Sequence, residues 1–144
     1  MTLRFNVVKD TPHLYEALME LNAAVAGSEA DARLVHLVKI RISQINGCAF
    51  CVDMHIKEAL QHGIDQTLLN LLPVWRETTQ FDTRERAALS WAEALTMLPG
   101  SHGSDDAYDE VHAEFSEQEL AALTVAIGTM NLWNRIGVGA RMQP

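Results

Sequence analysis

Apolar positions recur along most of this chain at intervals of three and four residues, the spacing that gathers side chains into one stripe on an α-helix. Between Pro12 and Ala26 the stripe is Leu14, Ala17, Leu18, Leu21 and Val25, and Gly27 ends it. After Asp31, a residue suited to N-capping, Leu34, Leu37, Val38, Ile42 and Ile45 predict a second helix with Arg33, Lys39 and Arg41 interspersed. Asn46-Gly47 is a hairpin signal when its flanks alternate; here the flanks have the helical period, so the pair predicts a break between two helices. The next helix spans Cys48 to Gln61 and stops at Gly63, and a short one capped by Asp65 runs through Leu72 to Pro73.

Asp82 or Thr83 caps a further helix whose wide stripe, Ala87, Ala88, Trp91, Ala94, Leu95 and Leu98, ends at Pro99-Gly100. His102 to Ser104 read as a polar loop and Asp105 to Phe115 as a helix of moderate amphipathicity. Ser116-Glu117-Gln118-Glu119 has the capping-box pattern, and Leu120 to Trp133 is too apolar to present a wide face to water, so this last helix is expected to be central or interfacial. There is no strand alternation, fixed repeat, low-complexity stretch or long linker. The expectation is one all-α domain over residues 1–144, a bundle of about six to seven helices.

Composition narrows the function classes. A chain of 144 residues is large enough to bury roughly 68–70% of the surface its unfolded form exposes. The formal charge of -8 argues against a phosphate backbone as partner, because nucleic-acid binders need clustered Lys and Arg. Met1 to Asp10 has no apolar run of signal-peptide length, and no segment approaches the ~18 apolar residues of a membrane span, so a cytoplasmic location is expected. In that reducing compartment the only two cysteines, Cys48 and Cys51, are expected to serve redox chemistry or metal binding and not a static staple.

On a helix, Cys48 and Cys51 are three residues apart and Cys51 and His55 four apart, so the three side chains share a face. Sulfurs near a helix N-terminus feel its dipole and free N–H groups, which lower a thiol's pKa below its ordinary value of about 8.5. The thiolate formed can displace the leaving oxygen of a hydroperoxide and become a sulfenic acid, which the neighbouring cysteine condenses into a disulfide. His55 is spaced to take the thiol proton or to hold the thiolate as an imidazolium. Two other accounts fit the same residues: an inert core pair, and a zinc site built from Cys48, Cys51 and His55 with His36 or His62 as fourth ligand. His13, His102 and His112 fall in capping, loop or polar-face contexts and are expected to be solvated; Trp75, Trp91 and Trp133 are expected to anchor core or interface.

From Ser43 to His55 the sequence SQINGCAFCVDMH resembles the core motif of the AhpD-like alkylhydroperoxidases of the carboxymuconolactone decarboxylase superfamily. The likeness extends from Leu34 through Gly63 and to Leu72-Pro73-Val74-Trp75-Arg76, Glu85 to Leu89 and Trp133-Asn134-Arg135. The resemblance implies an all-helical subunit assembled into trimers or hexamers, and an enzyme without cofactor or metal that reduces organic hydroperoxides with electrons from an external dithiol or thiol protein. It implies that Cys51 is the peroxidatic cysteine, that Cys48 closes the disulfide and meets the reductant, and that His55 belongs to a proton relay. Decarboxylase members lack the cysteine pair, so the resemblance points away from lactone decarboxylation. Where the family pattern has a Glu twelve residues before the first motif cysteine, this chain has His36. His36 then substitutes in the relay, or a carboxylate such as Glu93 approaches from another helix, or the pair serves disulfide exchange or sensing.

Overall fold

The computed structural model describes Met1–Pro144, and every regular element in it is helical. Nine α-helices and one 3-10 segment follow one another: α1 (Val7–Asp10), α2 (Pro12–Ala26), α3 (Ala32–Ile45), α4 (Ala49–Gln61), α5 (Gln66–Leu71), the 3-10 segment Leu72–Glu77, α6 (Thr83–Thr96), α7 (Leu98–Ser101), α8 (Asp105–Glu114) and α9 (Glu117–Ala140). The all-α expectation holds, and the count is higher than the six to seven predicted. The surplus elements α1 and α7 are single turns of four residues, too short for an apolar period to register.

Local chemistry accounts for most boundaries. Asp31, Asp82 and Ser116 accept hydrogen bonds from backbone N–H groups of Leu34, Glu85 and Glu119, and the latter two form reciprocal capping boxes. Gly63, at φ +80, ends α4 in a conformation that a side chain disfavours. Pro99-Gly100 does not end α6, which closes at Thr96; both residues sit inside α7, where Pro occupies the first turn and loses no helical bond. The last helix continues seven residues beyond Trp133, through Gly137 and Gly139, before Arg141 turns left-handed at φ 60. There Met142 N–H donates to Gly137 O at 2.9 Å and Arg141 N–H to Val138 O at 3.1 Å, the paired bonds of a Schellman stop.

Helix α3 packs against α4, α6 and α9 and is buried on two faces. Leu34, Val38 and Ile42 enter an apolar cluster shared with α6, α8, α9 and both cysteines. Leu37 and Ile40 face a second cluster with Ala59, Leu69, Leu72, Trp75 and Leu89. By contrast α9 buries Leu120, Leu123, Ile127, Met130, Asn134 and Gly137 while leaving Val125, Leu132 and Val138 at the surface. The last helix packs against α2, α3, α4, α6 and α8, and Val125 and Leu132 share an outward face one heptad apart. No helix is long and apolar enough to cross a membrane.

Candidate active site

The turn between α3 and α4 positions the cysteines. Gly47, at φ +67, reverses the chain, and Cys48 N–H donates back to Ser43 O at 3.0 Å. Cys48 is therefore not the first helical residue but the N-cap of α4, with its Sγ accepting from Cys51 N–H at 3.4 Å. A polar ladder fastens this turn to α9 and α6. Asn46 Nδ2 donates to Asn134 Oδ1 at 2.9 Å and to Asn131 Oδ1 at 3.0 Å; Asn134 Nδ2 donates to Ser43 Oγ, and Asn131 Nδ2 to Thr96 Oγ1. Asn134 is almost wholly enclosed, and each ladder contact supplies a partner that a buried amide needs.

Cys48 and Cys51 are joined as a disulfide with Cα atoms 5.3 Å apart, both sulfurs in the first turn of α4. They are buried, with exposures of 2% and 3%. The wall over them is Gly137 of α9: a Cβ there would lie 2.8 Å from Cys48 Sγ and 3.2 Å from Cys51 Sγ, so no larger residue fits without displacing the pair.

His55 follows Cys51 by one helical turn and is buried. Its Nδ1 lies 2.7 Å from Glu58 Oε2. A carboxylate only accepts, so Nδ1 carries the proton and Nε2 keeps the lone pair, the tautomer assigned from the partner. Burial pushes the His55 pKa below the usual imidazole range, and Lys39 adds to this; the hydrogen bond and charge of Glu58 oppose it without cancelling it. At neutral pH His55 is the free base.

His36 belongs to the same neighbourhood but makes no hydrogen bond to His55. Its ring lies against that of His62, centroids 4.4 Å apart and planes inclined by 42°, and its buried Nδ1 has no hydrogen-bond partner. Burial, then His62 and Lys39, lower its pKa, with Glu58 acting the other way. Glu93 does not reach the site. It is buried elsewhere, accepting from Arg41 Nε at 2.7 Å, Trp75 Nε1 at 2.9 Å and the Arg76 guanidinium. Burial alone would raise its pKa, but these three donors outweigh burial and hold it below the ordinary carboxylate range.

As for the zinc alternative, the two sulfurs are bonded to each other, and no group of three or more His, Cys, Asp or Glu is arranged to hold a metal ion. His13, His102 and His112 are exposed. Trp75 and Trp91 are core residues bonded to Glu93 and Thr124, and half-buried Trp133 donates to Asn22 and meets Tyr15 edge-on. Three contributors escaped the sequence reading. The i, i+3 spacing of His55 and Glu58 was there to be read; nothing local marks Gly137, or Asn134 as the partner of Asn46.

Residues 12–94 match the profile of the carboxymuconolactone decarboxylase family. Over 99% of this chain and 97% of its own, a solved structure from Agrobacterium tumefaciens superposes with a TM-score of 0.96 and is 44% identical; that protein is of unknown function, and its description connects it with AhpD and antioxidant defence. The uncharacterized protein YdfG of Bacillus subtilis is 31% identical over 96% of this chain and 94% of its own length. YnjA of Escherichia coli, also uncharacterized, is 38% identical over 73% of this chain and 57% of its own.

Proposed function

Given that this chain belongs to the carboxymuconolactone decarboxylase family, on its AhpD-like side, we propose that it is a thiol-dependent peroxidase that reduces organic hydroperoxides. The observation that carries this is the pair Cys48 and Cys51, bonded to each other in the first turn of α4 with the free-base imidazole of His55 one turn beyond.

In the reduced protein, the N–H groups of α4 and the Nε2 lone pair of His55 favour ionisation of Cys51. The thiolate attacks the distal oxygen of the hydroperoxide; the S–O bond forms as the O–O bond breaks, and His55 returns its proton to the departing alkoxide, giving an alcohol and a sulfenic acid on Cys51. Cys48 then attacks that sulfur, the disulfide forms and water leaves. An external dithiol or thiol protein supplies two electrons and two protons to restore both thiols while becoming a disulfide itself. The apolar cluster around the sulfurs, with Phe50 packed against it, favours a hydroperoxide carrying an alkyl or aryl group over hydrogen peroxide. A homo-oligomer, trimer or hexamer, belongs to the same proposal, supported by Leu14, Met19, Val125, Leu132 and Val138 left at the surface.

Disulfide exchange or redox sensing is the second reading, favoured by the hydrogen-bond-free imidazole of His36 where the family pattern has a carboxylate. One set of measurements separates the two: second-order rate constants of the reduced protein with cumene hydroperoxide and with a model disulfide, for wild type and Cys51→Ser. Peroxidase function predicts the faster reaction with the hydroperoxide and its loss in Cys51→Ser. Undiminished peroxide turnover in that variant would refute the mechanism.

A further inference from the structure

The peroxidase reading leaves open which group supports His55 once it holds a proton. An imidazolium formed beside a buried thiolate is oriented and further stabilised by a carboxylate hydrogen-bonded to its other nitrogen. The charged and titratable groups around His55 and His36 are few: His36 and Lys39 on α3, Glu58 on α4, and His62 at the C-cap of α4. Among them Glu58 alone is a carboxylate. Its Oε2 lies 2.7 Å from His55 Nδ1, while its backbone carbonyl is 2.9 Å from His62 Nδ1. The two other candidates are occupied or idle. Glu93 is consumed by Arg41, Trp75 and Arg76, and His36, turned to His62, leaves its Nδ1 without a partner.

We propose, on the basis of the peroxidase reading, that Glu58 is the positioning carboxylate of this site: it fixes His55 with Nδ1 protonated and Nε2 free for the Cys51 proton, so that the counter-charge comes from α4 itself and not from position 36. The assignment makes sense of His36. With the carboxylate supplied from within α4, position 36 is released from carrying one and holds an imidazole packed on its neighbour. In the catalytic cycle Glu58 exchanges no proton. It accepts one hydrogen bond throughout, first from neutral His55 and then from the imidazolium, while the proton moves from Cys51 Sγ to His55 Nε2 and on to the departing alkoxide.

Glu58 is partly exposed, with 40% of its side chain accessible, so Glu58→Gln is expected to fold, and a thermal melt checks this. Three variants then decide the matter: Glu58→Gln, His36→Glu and the two combined. Glu58→Gln should lower kcat/KM for cumene hydroperoxide by about 10- to 100-fold, the usual cost of losing a residue that orients a functional histidine. It should also move the His55 titration, followed by NMR in the oxidised protein, to lower pH, because Glu58 is what holds that titration up. In the combined variant a carboxylate at position 36, near enough to His55 for their charges to interact, should recover part of the loss. Wild-type kcat/KM in Glu58→Gln overturns the proposal, and so does a slow variant whose His55 titration has not moved. A wild-type protein inert toward hydroperoxides sinks the peroxidase reading instead; the His55 titration, which needs no turnover, then decides the role of Glu58 by itself.

Discussion

Replacing Gly137 by alanine tests how tightly α9 is seated on the disulfide. Two effects of opposite sign meet at this position. In a helix interior alanine is favoured over glycine by about 1 kcal/mol, which on its own would stabilise the protein. Against it, the new Cβ would stand 2.8 Å from Cys48 Sγ and 3.2 Å from Cys51 Sγ, and neither atom is the free end of a flexible side chain, because the disulfide holds both. Relieving such overpacking typically costs about 1–3 kcal/mol. The expected net effect in the oxidised protein is a loss of up to about 2 kcal/mol, equivalent to a fall of about 4 to 8 °C in Tm for a chain of this size.

A second substitution fixes the cause. Cys48→Ala removes the closer of the two sulfurs and frees Cys51 to rotate away, so Gly137→Ala made in that background should become neutral or stabilising by up to about 1 kcal/mol. The coupling between the two positions in a double-mutant cycle is then about 1–3 kcal/mol, read from urea denaturation of the four proteins at one pH. If Gly137→Ala stabilises the oxidised wild-type background by the full helix-propensity gain, α9 is not in contact with the sulfurs and the account of the site's wall is wrong.

Two further outcomes follow from the buried ionisable groups. Glu93→Gln keeps the shape of the side chain but removes the charge shared with Arg41 and Arg76, and should cost about 3 kcal/mol in urea denaturation at pH 7; a loss below about 1 kcal/mol would mean that the pairing is not what holds 3-10 segment and α6 to α3. Stability should also fall on acidification below the ordinary histidine range. His36 and His55 have folded-state pKa values depressed by burial, so between the folded and unfolded values the unfolded chain binds more protons and is favoured. Glu93, depressed in the other charge class, adds its own loss only at lower pH, as its carboxylate protonates. His36→Gln should therefore flatten the decline that sets in as pH falls through the ordinary histidine pKa of about 6.5; parallel stability curves for variant and wild type would contradict the assignment of that slope to His36.

Elements whose cause is local were legible in the sequence. The apolar period of Leu34 to Ile45, the Asp31 cap, the Gly63 stop and the Ser116–Glu119 capping box act within a few residues of one another, and each produced the element expected of it. The same locality placed Cys48, Cys51 and His55 along one edge of one helix. What escaped is pairing at a distance. Arg41 and Glu93 are 52 residues apart, and Asn46 and Asn134 are 88 apart; their meeting depends on how α3, α6 and α9 pack, which no spacing rule expresses. Glycines 137 and 139 resemble a helix end when read in line, yet α9 runs through both: at 137 because the disulfide leaves no room for a Cβ, and at 139 with the Phe5 ring packed close by. Position 36 shows the limit from the other side. A histidine in place of an acid announced a change in the site, but not that the carboxylate of Glu58, one turn beyond His55, would lie 2.7 Å from its Nδ1.

Burial of the sulfurs decides how the remaining parts of the site divide the work. A thiol withdrawn from water has its ionised form penalised, and the apolar cluster around Cys48 and Cys51 supplies no compensating charge. On the proposed peroxidase reading the compensation in the reduced protein comes from α4: the N–H groups of its first turn at the sulfurs, and His55 with Glu58 a turn further along. The other helices contribute constraint. The asparagine ladder fixes the turn from which α4 starts, and Gly137 closes the space above the sulfurs. A substitution in α4 should therefore alter the chemistry with little loss of stability, as expected for Glu58→Gln, whereas one in α9 should alter stability first, as expected for Gly137→Ala. The reverse pattern, a stable Gly137→Ala protein with altered His55 titration beside an unfolded Glu58→Gln protein, is incompatible with this division.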